Sequence, residues 1–273
     1  MKTSLMDFKN TSSFATFNQK TRKDSTYHNL VEDDIHIIDK LVQHNNIKSV
    51  TSDEITNAIR SINKGKSADY HGLTIEHIIY AESDIEKLLV VLVRCIFQDG
   101  RISESLKMGL LTPVFKNKGT RQQAIKYRGI TVLPIIGKIM ETVIKCRTNN
   151  GVLKTQNKRQ RGFTAGSSPM NSALPIEESY RESKDNNASL HLVLLDARAP
   201  FDTVIHSHML RSMAGIEDGH WGLIKDRHEN AKSVIKWEGH LSQPFQVNQG
   251  DQQGGILSTN LYKLYINRLL NMY

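Results

Sequence analysis

The sequence predicts a helix-rich α+β fold, on two kinds of observation. Apolar residues recur at helical spacing in several stretches, among them Ile55–Ile62, Leu88–Ile96 and residues 135–148. Between them lie two extended runs, Leu110–Phe115 and the almost continuously apolar Leu190–Leu195, which has the content of a central strand covered on both faces. The predicted order is helices, strand, loop, helices, strand, helix, hairpin and helix.

The composition is that of a basic globular protein. The chain has 273 residues, of which 38% are hydrophobic, so a small peptide and a chain that is disordered throughout are both excluded. The chain has 36 Lys and Arg residues against 28 Asp and Glu residues, which gives a net charge of +8. This basic excess favours a polyanionic partner. Cys95 and Cys146 are too few for a disulfide framework or a cysteine-rich zinc site, which favours a reducing compartment.

Signals for secretion and membrane insertion are missing from the sequence. Met1–Lys9 has no apolar core of signal-peptide length. The most apolar stretch, Leu88–Phe97, is interrupted by Arg94 and is half the length that a bilayer span needs. We therefore expect an intracellular protein of the cytoplasm or nucleus with no membrane partner, and nucleic acid becomes the leading polyanion.

The first elements are predicted from composition and capping signals. Residues 1–26 are rich in Ser, Thr, Asn and Lys, and we expect a disordered tail there. Apolar residues between positions 30 and 42 then predict a first helix. Thr51 and Glu54 have the spacing of a capping box and predict the start of the next one. Gly100 is placed to end the helix that precedes it.

A basic loop and two helices are predicted in the middle of the chain. The loop, Lys116–Lys126, follows the strand at Leu110–Phe115 and is polar and basic. Residues 135–148 and 170–184 have helical patterns. Pro175 lies inside the second of these patterns, where it removes a backbone donor, so we expect a kink or a damaged position.

The last third is predicted to contain a hairpin and a closing helix. Val234–Trp237 and Phe245–Val247 are short apolar runs separated by turn residues. Ile256–Leu270 has the pattern of an apolar helix. His206 and His208 are expected to be exposed at the start of a helix rather than to bind zinc.

Three segments carry possible chemistry, and each has a simpler explanation. Asp196, with Asp202 close behind, follows the apolar strand and is placed to hold a divalent metal, or it caps the following turn. The glycine-rich Gln249–Ser258 lets backbone amides approach a sugar or phosphate, or it only connects hairpin and helix. The basic Lys116–Arg128 is suited to a triphosphate, or it is a solvated surface loop.

Taken in order, these segments resemble the reverse transcriptases of non-LTR (LINE-like) retrotransposons. The resemblance covers most of the chain. Its motifs are Val50–Ile55 with Gly65–Leu73, Thr112–Gly119, Tyr127–Thr131, Gln160–Phe163, Leu195–Asp202 and Gln253–Ser258. It implies a partial right-hand polymerase, with a fingers-like region at residues 27–165 and an incomplete palm at residues 166–273.

The resemblance also implies roles for individual residues. Asp196 matches the first metal-binding, catalytic aspartate, with the carbonyl of Ala197 as a second ligand for Mg²⁺ in a two-metal site. The residues implied in nucleotide binding are Lys116, Arg128, Phe201, Gln253 and Gly254. Of these, the two basic side chains would hold the triphosphate and the aromatic ring would lie under the sugar and exclude a 2′-hydroxyl. The Gln-Gly pair would lie near template and nucleotide.

The departures from the family pattern predict a loss of activity. The family has a Tyr- or Phe-Ala-Asp-Asp turn that supplies the other acidic metal ligand, and residues 255–273 contain no acidic residue. Pro200 also stands where the family has Ala. The resemblance implies an RNA-directed DNA polymerase that takes an RNA template, a DNA primer, deoxynucleoside triphosphates and magnesium. We expect it to be inactive alone, with a catalytically dead nucleic-acid-binding remnant as the alternative, and no pattern predicts its oligomeric state.

Overall fold

A computed structural model describes residues 25–42, 46–197, 199–214, 216 and 219–272. The predicted tail, residues 1–26, lies outside these residues except for its last two, which begin the first helix. Within the described ranges, no helix is long and apolar enough to cross a bilayer.

Helices and strands follow one another broadly as predicted, so the mixed helix-and-sheet class is confirmed. The elements up to residue 155 are α1 (Ser25–Val42), α2 (Ser52–Ser61), α3 (Ile75–Ile79), α4 (Glu82–Asp99), β1 (Met108–Phe115), β2 (Tyr127–Val132) and α5 (Ile135–Thr155). Those that follow are α6 (Met170–Asp185), α7 (His206–Ser212), α8 (His220–His228), β3 (Lys232–Trp237), β4 (His240–Leu241), β5 (Phe245–Gln246) and α9 (Ser258–Leu270).

The predicted capping signals are present in the structure. Thr51 Oγ1 accepts a hydrogen bond from the Glu54 amide at 3.2 Å, and the Glu54 carboxylate accepts one from the Thr51 amide at 2.9 Å. This reciprocal pair begins α2. Gly100 ends α4 in the left-handed conformation, with φ +63°.

The sheet joins segments that are far apart in the sequence. Its order is β2-β1-β3-β4, and β5 also pairs with β3. Strands β1 and β2 are antiparallel, whereas β1 and β3 are parallel, with Leu110 opposite Val234. The predicted hairpin is confirmed, because β3 pairs with both β4 and β5. The sequence did not predict strand β2, because its residues Arg128 and Gly129 are typical of the end of a loop.

The main core lies among the helices. Side chains that are at most 2% exposed include Leu89, Ile139, Met209, Trp221 and Leu223, from helices α4, α5, α7 and α8. The sheet has a smaller core of its own, built on Leu111 and Ile235. The first and second parts of the chain therefore contribute to the same core.

The strand predicted at Leu190–Leu195 is wrong. This run is irregular and exposed, with Leu194 93% exposed. A strand needs a neighbouring backbone to pair with, and no strand of the described sheet pairs with these residues. Helix α6, which precedes the run, continues through Pro175 and buries none of its side chains.

Candidate functional site

The turn between Gly250 and Gly255, here called the glycine-rich turn, is packed against strand β2. The Thr131 amide donates a hydrogen bond of 2.8 Å to the Gln253 carbonyl. Gly254 has φ +122°, and a Cβ at this position would overlap the Thr131 carbonyl oxygen. Only glycine lets the two backbones approach this closely.

The other side of the turn is bound to the segment that follows Asp196. The Asp251 amide donates to the Phe201 carbonyl at 2.9 Å, and the Gly250 amide donates to the Val204 carbonyl at 2.8 Å. The turn thus bridges this segment and β2. The structure brings together three of the predicted site residues: Phe201, Gln253 and Gly254.

A buried group of charged and polar side chains lies at and beneath the turn, and we call it the ionic cluster. Its members are Glu141, Arg227, His228, Asp251 and Ser258. Arg227 Nε donates to Glu141 Oε1, and Glu141 Oε2 accepts the amide of Ile256 at 2.8 Å. The Asp251 carboxylate accepts from Ser258 Oγ at 3.0 Å and lies 3.6 Å from Arg227 Nη1.

Opposing effects act on the Asp251 carboxylate. Its burial raises the pKa, but the ring of His228, with Nε2 3.7 Å from Oδ1, and the charge of Arg227 outweigh burial and hold the pKa below its ordinary value. Asp251 is 0% exposed. A buried carboxylate of this kind is tolerable only when it is paired, so the cluster members depend on one another.

His206, the first residue of α7, connects the cluster to the turn. Its Nε2 lies 2.8 Å from the Gly250 carbonyl, and its ring packs edge-on against His228 at 4.8 Å. Burial, reinforced by His228, lowers the pKa of His206 to about 4. The ring is therefore neutral at pH 7, with Nε2–H as donor. The predicted helix start is confirmed, but the expectation that His206 and His208 are exposed there is wrong, since both are half-buried.

The predicted basic residues lie on the β1–β2 hairpin. Lys116 is exposed, and its Nζ donates to the Ile125 carbonyl at 3.0 Å within the connecting loop. Arg128 is exposed on β2, opposite Val114 and three residues before Thr131. The strand that contacts the glycine-rich turn therefore also carries Arg128.

Asp196 and Ala197 are exposed in the irregular segment and belong to no secondary-structure element. Phe201 is half-buried, with its ring 5.0 Å from that of Tyr262 and 6.0 Å from that of Phe163. Among the described residues, no three His, Cys, Asp or Glu side chains are grouped so that they could hold a metal ion. The described arrangement around Asp196 does not fit a two-metal site.

The ionic cluster was missed by sequence reasoning. Glu141 and Asp251 are 110 residues apart, and only the fold brings both to Arg227. One signal was present: Glu141 lies between apolar positions of the predicted helix at residues 135–148 and is 2% exposed. A carboxylate on the apolar face of a helix needs a buried partner.

Comparisons with known proteins give consistent matches. The profile of a family described as "Reverse transcriptase (RNA-dependent DNA polymerase)" matches residues 115–273. The chain is 26% identical over 163 residues (58% of the chain and 18% of the relative) to a probable RNA-directed DNA polymerase from transposon X-element of Drosophila melanogaster.

Two further relatives match most of the chain. It is 23% identical to the transposon TX1 uncharacterized 149 kDa protein of Xenopus laevis, over 81% of the chain and 17% of that protein. It is also 23% identical to the RNA-directed DNA polymerase from mobile element jockey of Drosophila melanogaster, over 80% of the chain and 24% of that protein. The chain spans between 17% and 24% of the length of these three relatives.

Proposed function

The chain belongs to the reverse transcriptase (RNA-dependent DNA polymerase) family, in the branch of the non-LTR retrotransposons, and from this premise we propose that it binds the RNA template, the DNA primer and the incoming deoxynucleoside triphosphate during RNA-templated DNA synthesis. The membership confirms the resemblance seen in the sequence motifs. The proposal concerns only the binding of these substrates by residues 1–273.

The observation that carries the proposal is the glycine-rich turn held between Phe201 and β2. Its backbone contacts Phe201 on one side and Thr131 on the other, at 2.9 Å and 2.8 Å. A glycine turn between two fixed segments lets main-chain groups approach a sugar and a base. Arg128, on the same strand as Thr131, would supply positive charge for the triphosphate, together with Lys116.

Members of the family use divalent metal ions, and Asp196 with the Ala197 carbonyl would be the first ligands for magnesium in this chain. Asp196 is nevertheless exposed, and no cluster of three or more potential metal ligands occurs in the described part of the chain. The residues as placed do not fit a two-metal site. We assign this chain substrate binding and no step through the metal, and expect residues 1–273 alone to bind without extending a primer.

A primer-extension assay tests this division of roles. The chain is incubated with an RNA template, an annealed DNA primer, deoxynucleoside triphosphates and magnesium, beside the Asp196→Ala variant. Binding of the primer-template without extension is expected for both proteins. Template-dependent product that disappears in Asp196→Ala would overturn the expected inactivity and assign catalysis to this chain.

Nucleotide dependence separates the proposal from the second candidate function, a nucleic-acid-binding remnant. The net charge of +8 and the basic hairpin favour RNA binding of either kind. Under the proposal, the deoxynucleotide complementary to the template base slows dissociation of the primer-template. A remnant binds the same RNA with no such effect.

The salt dependence of RNA binding tests the basic hairpin. Phosphate contacts release counterions, so affinity should fall steeply as salt rises. Arg128→Ala and Lys116→Ala should each reduce the slope of log K against log salt by about 0.7 on single-stranded RNA. Lys87→Ala, which removes an exposed cation on α4, is the control and should leave the slope unchanged. Association that is absent or independent of salt would exclude both candidates.

A further inference from the structure

The ionic cluster touches the glycine-rich turn near both of its ends. We propose that Glu141, Arg227 and Asp251 are positioning residues that set the spacing between Phe201 and strand β2 at the nucleotide site. This inference rests on the proposed function, because it concerns the geometry of the same site. The cluster touches no substrate itself and acts through the turn.

The turn cannot fix its own position. Glycine occupies three of its six residues, positions 250, 254 and 255, and glycine has the largest backbone freedom of any residue. Its direct contacts with the neighbouring segments are a few hydrogen bonds, among them the one from Thr131 to Gln253 and the one from His206 Nε2 to the Gly250 carbonyl. Further anchoring is needed to keep one distance between the two segments.

Glu141 anchors the exit of the turn. Its Oε2 accepts the amide of Ile256 at 2.8 Å and that of Leu257 at 3.4 Å. These amides immediately precede α9, where unpaired N–H groups favour a negative charge. Glu141 belongs to the 21-residue helix α5, so it ties the exit of the turn to the largest buried helix of the core.

Asp251 anchors the entry of the turn, and Arg227 joins the two anchors. The Asp251 carboxylate is held by Ser258 and lies 3.6 Å from Arg227 Nη1, while Arg227 Nε donates to Glu141. One guanidinium therefore pairs with a carboxylate at each end. All three side chains are buried, and Arg227 is the only cation of the three. Removal of Arg227 would leave two carboxylates uncompensated, and removal of either carboxylate would release one end of the turn from its anchor.

The same helix provides a matched control. Arg147 of α5 forms two hydrogen bonds of 2.7 Å with Glu54 of α2. This pair also ties α5 to another helix, but its partners are Glu54 and the carbonyls of Lys48 and Ser49, all far in sequence from the turn. Glu54→Gln should weaken the fold without moving the turn.

Amide hydrogen exchange of the free protein tests the positioning. In Glu141→Gln, the amides of Thr131, Asp251 and Ile256 should exchange about tenfold faster or more, the factor expected from loss of one charge-assisted hydrogen bond. In Glu54→Gln, the exchange rates of these three amides should change no more than the variant's loss of global stability accounts for. Ser258→Ala, a milder change that removes one donor to Asp251, should accelerate the same amides less and serves if Glu141→Gln does not fold. Equal acceleration in the Glu141 and Glu54 variants, or none at Thr131 and Asp251, would overturn the inference.

Nucleotide titration connects the positioning to the site. On an RNA–DNA primer-template with a templating cytosine, Glu141→Gln should weaken dGTP binding by about tenfold and leave primer-template affinity unchanged. A variant that is only destabilised would weaken both together. If the unmodified chain binds the primer-template but no dGTP, the proposed function itself is wrong. If it binds dGTP and Glu141→Gln binds equally well, the positioning role alone is refuted.

Discussion

Replacing Gly254 by alanine tests the closest backbone approach in the site. Gly254 has φ +122°, a conformation that costs a residue with a Cβ about 1–3 kcal/mol. The new Cβ would also overlap the Thr131 carbonyl oxygen, which forces the turn away from β2 and breaks the hydrogen bond from Thr131 to Gln253. Loss of that bond adds about 1 kcal/mol. We therefore expect Gly254→Ala to destabilise the fold by about 2–4 kcal/mol.

Urea unfolding followed by tryptophan fluorescence, to which the fully buried Trp221 contributes, measures this change. Gly166→Ala is the control, since Gly166 has φ +73° with nothing within 4 Å of its Cβ position. It carries only the conformational cost, about 1–2 kcal/mol. If Gly254→Ala costs no more than Gly166→Ala, the contact between the turn and β2 contributes nothing and the reasoning is refuted.

Three further predictions concern charged groups. Hydrogen bonds from Arg147 lower the pKa of Glu54 to about 2. The stability that this carboxylate contributes is therefore present above pH 4.5 and is lost as the pH falls towards 2. Between about pH 5 and pH 3, the urea midpoint of unfolding should fall less in Glu54→Gln than in the unmodified chain. Burial and His228 lower the pKa of His206 from 6.5 to about 4, so between these pH values the unfolded chain binds a proton that the folded chain does not bind. The free energy of unfolding should therefore decrease as the pH drops through this window, and it should decrease less in His206→Gln. An NMR titration midpoint of His206 near 6.5 would contradict this prediction. The Asp69 carboxylate accepts the amides of His71, Leu73 and Ile135, so Asp69→Ala should lower stability by about 3 kcal/mol in thermal unfolding, and a neutral effect would show that water replaces the carboxylate.

The parts of the fold that sequence predicted are those set by local chemistry. The capping box of Thr51 and Glu54 depends on residues three apart, and the left-handed end of α4 depends on Gly100 alone. The hairpin of β3 likewise follows from a short turn between apolar runs. The motifs also singled out Phe201, Gln253 and Gly254, which the fold brings close together, and their roles in nucleotide binding stay predictions.

The parts that sequence missed depend on partners distant in the chain. Leu190–Leu195 has the apolar content of a strand, but strand formation is decided by a paired neighbour. Arg128 lies in a strand because β1 pairs with it, although its own local sequence is typical of a loop. The pairing of Arg227 with both Glu141 and Asp251 needs three separate elements in place at once. The roles of Asp196 and Ala197 in metal binding stay predictions.

Residues 186–197 are exposed throughout, and helix α6 before them buries no side chain, so this stretch connects two parts of the chain without supporting either. The parts are joined instead through space: β1 pairs with β3, and Asn267 accepts a hydrogen bond of 2.9 Å from the Asn157 amide. The covalent connection through residues 186–197 is therefore not needed to hold the two parts together. Residues 1–186 and 198–273, produced as separate polypeptides in one cell, should assemble into one non-covalent complex. Proteolytic cleavage of the intact chain between these two parts should leave the size of the protein in solution unchanged.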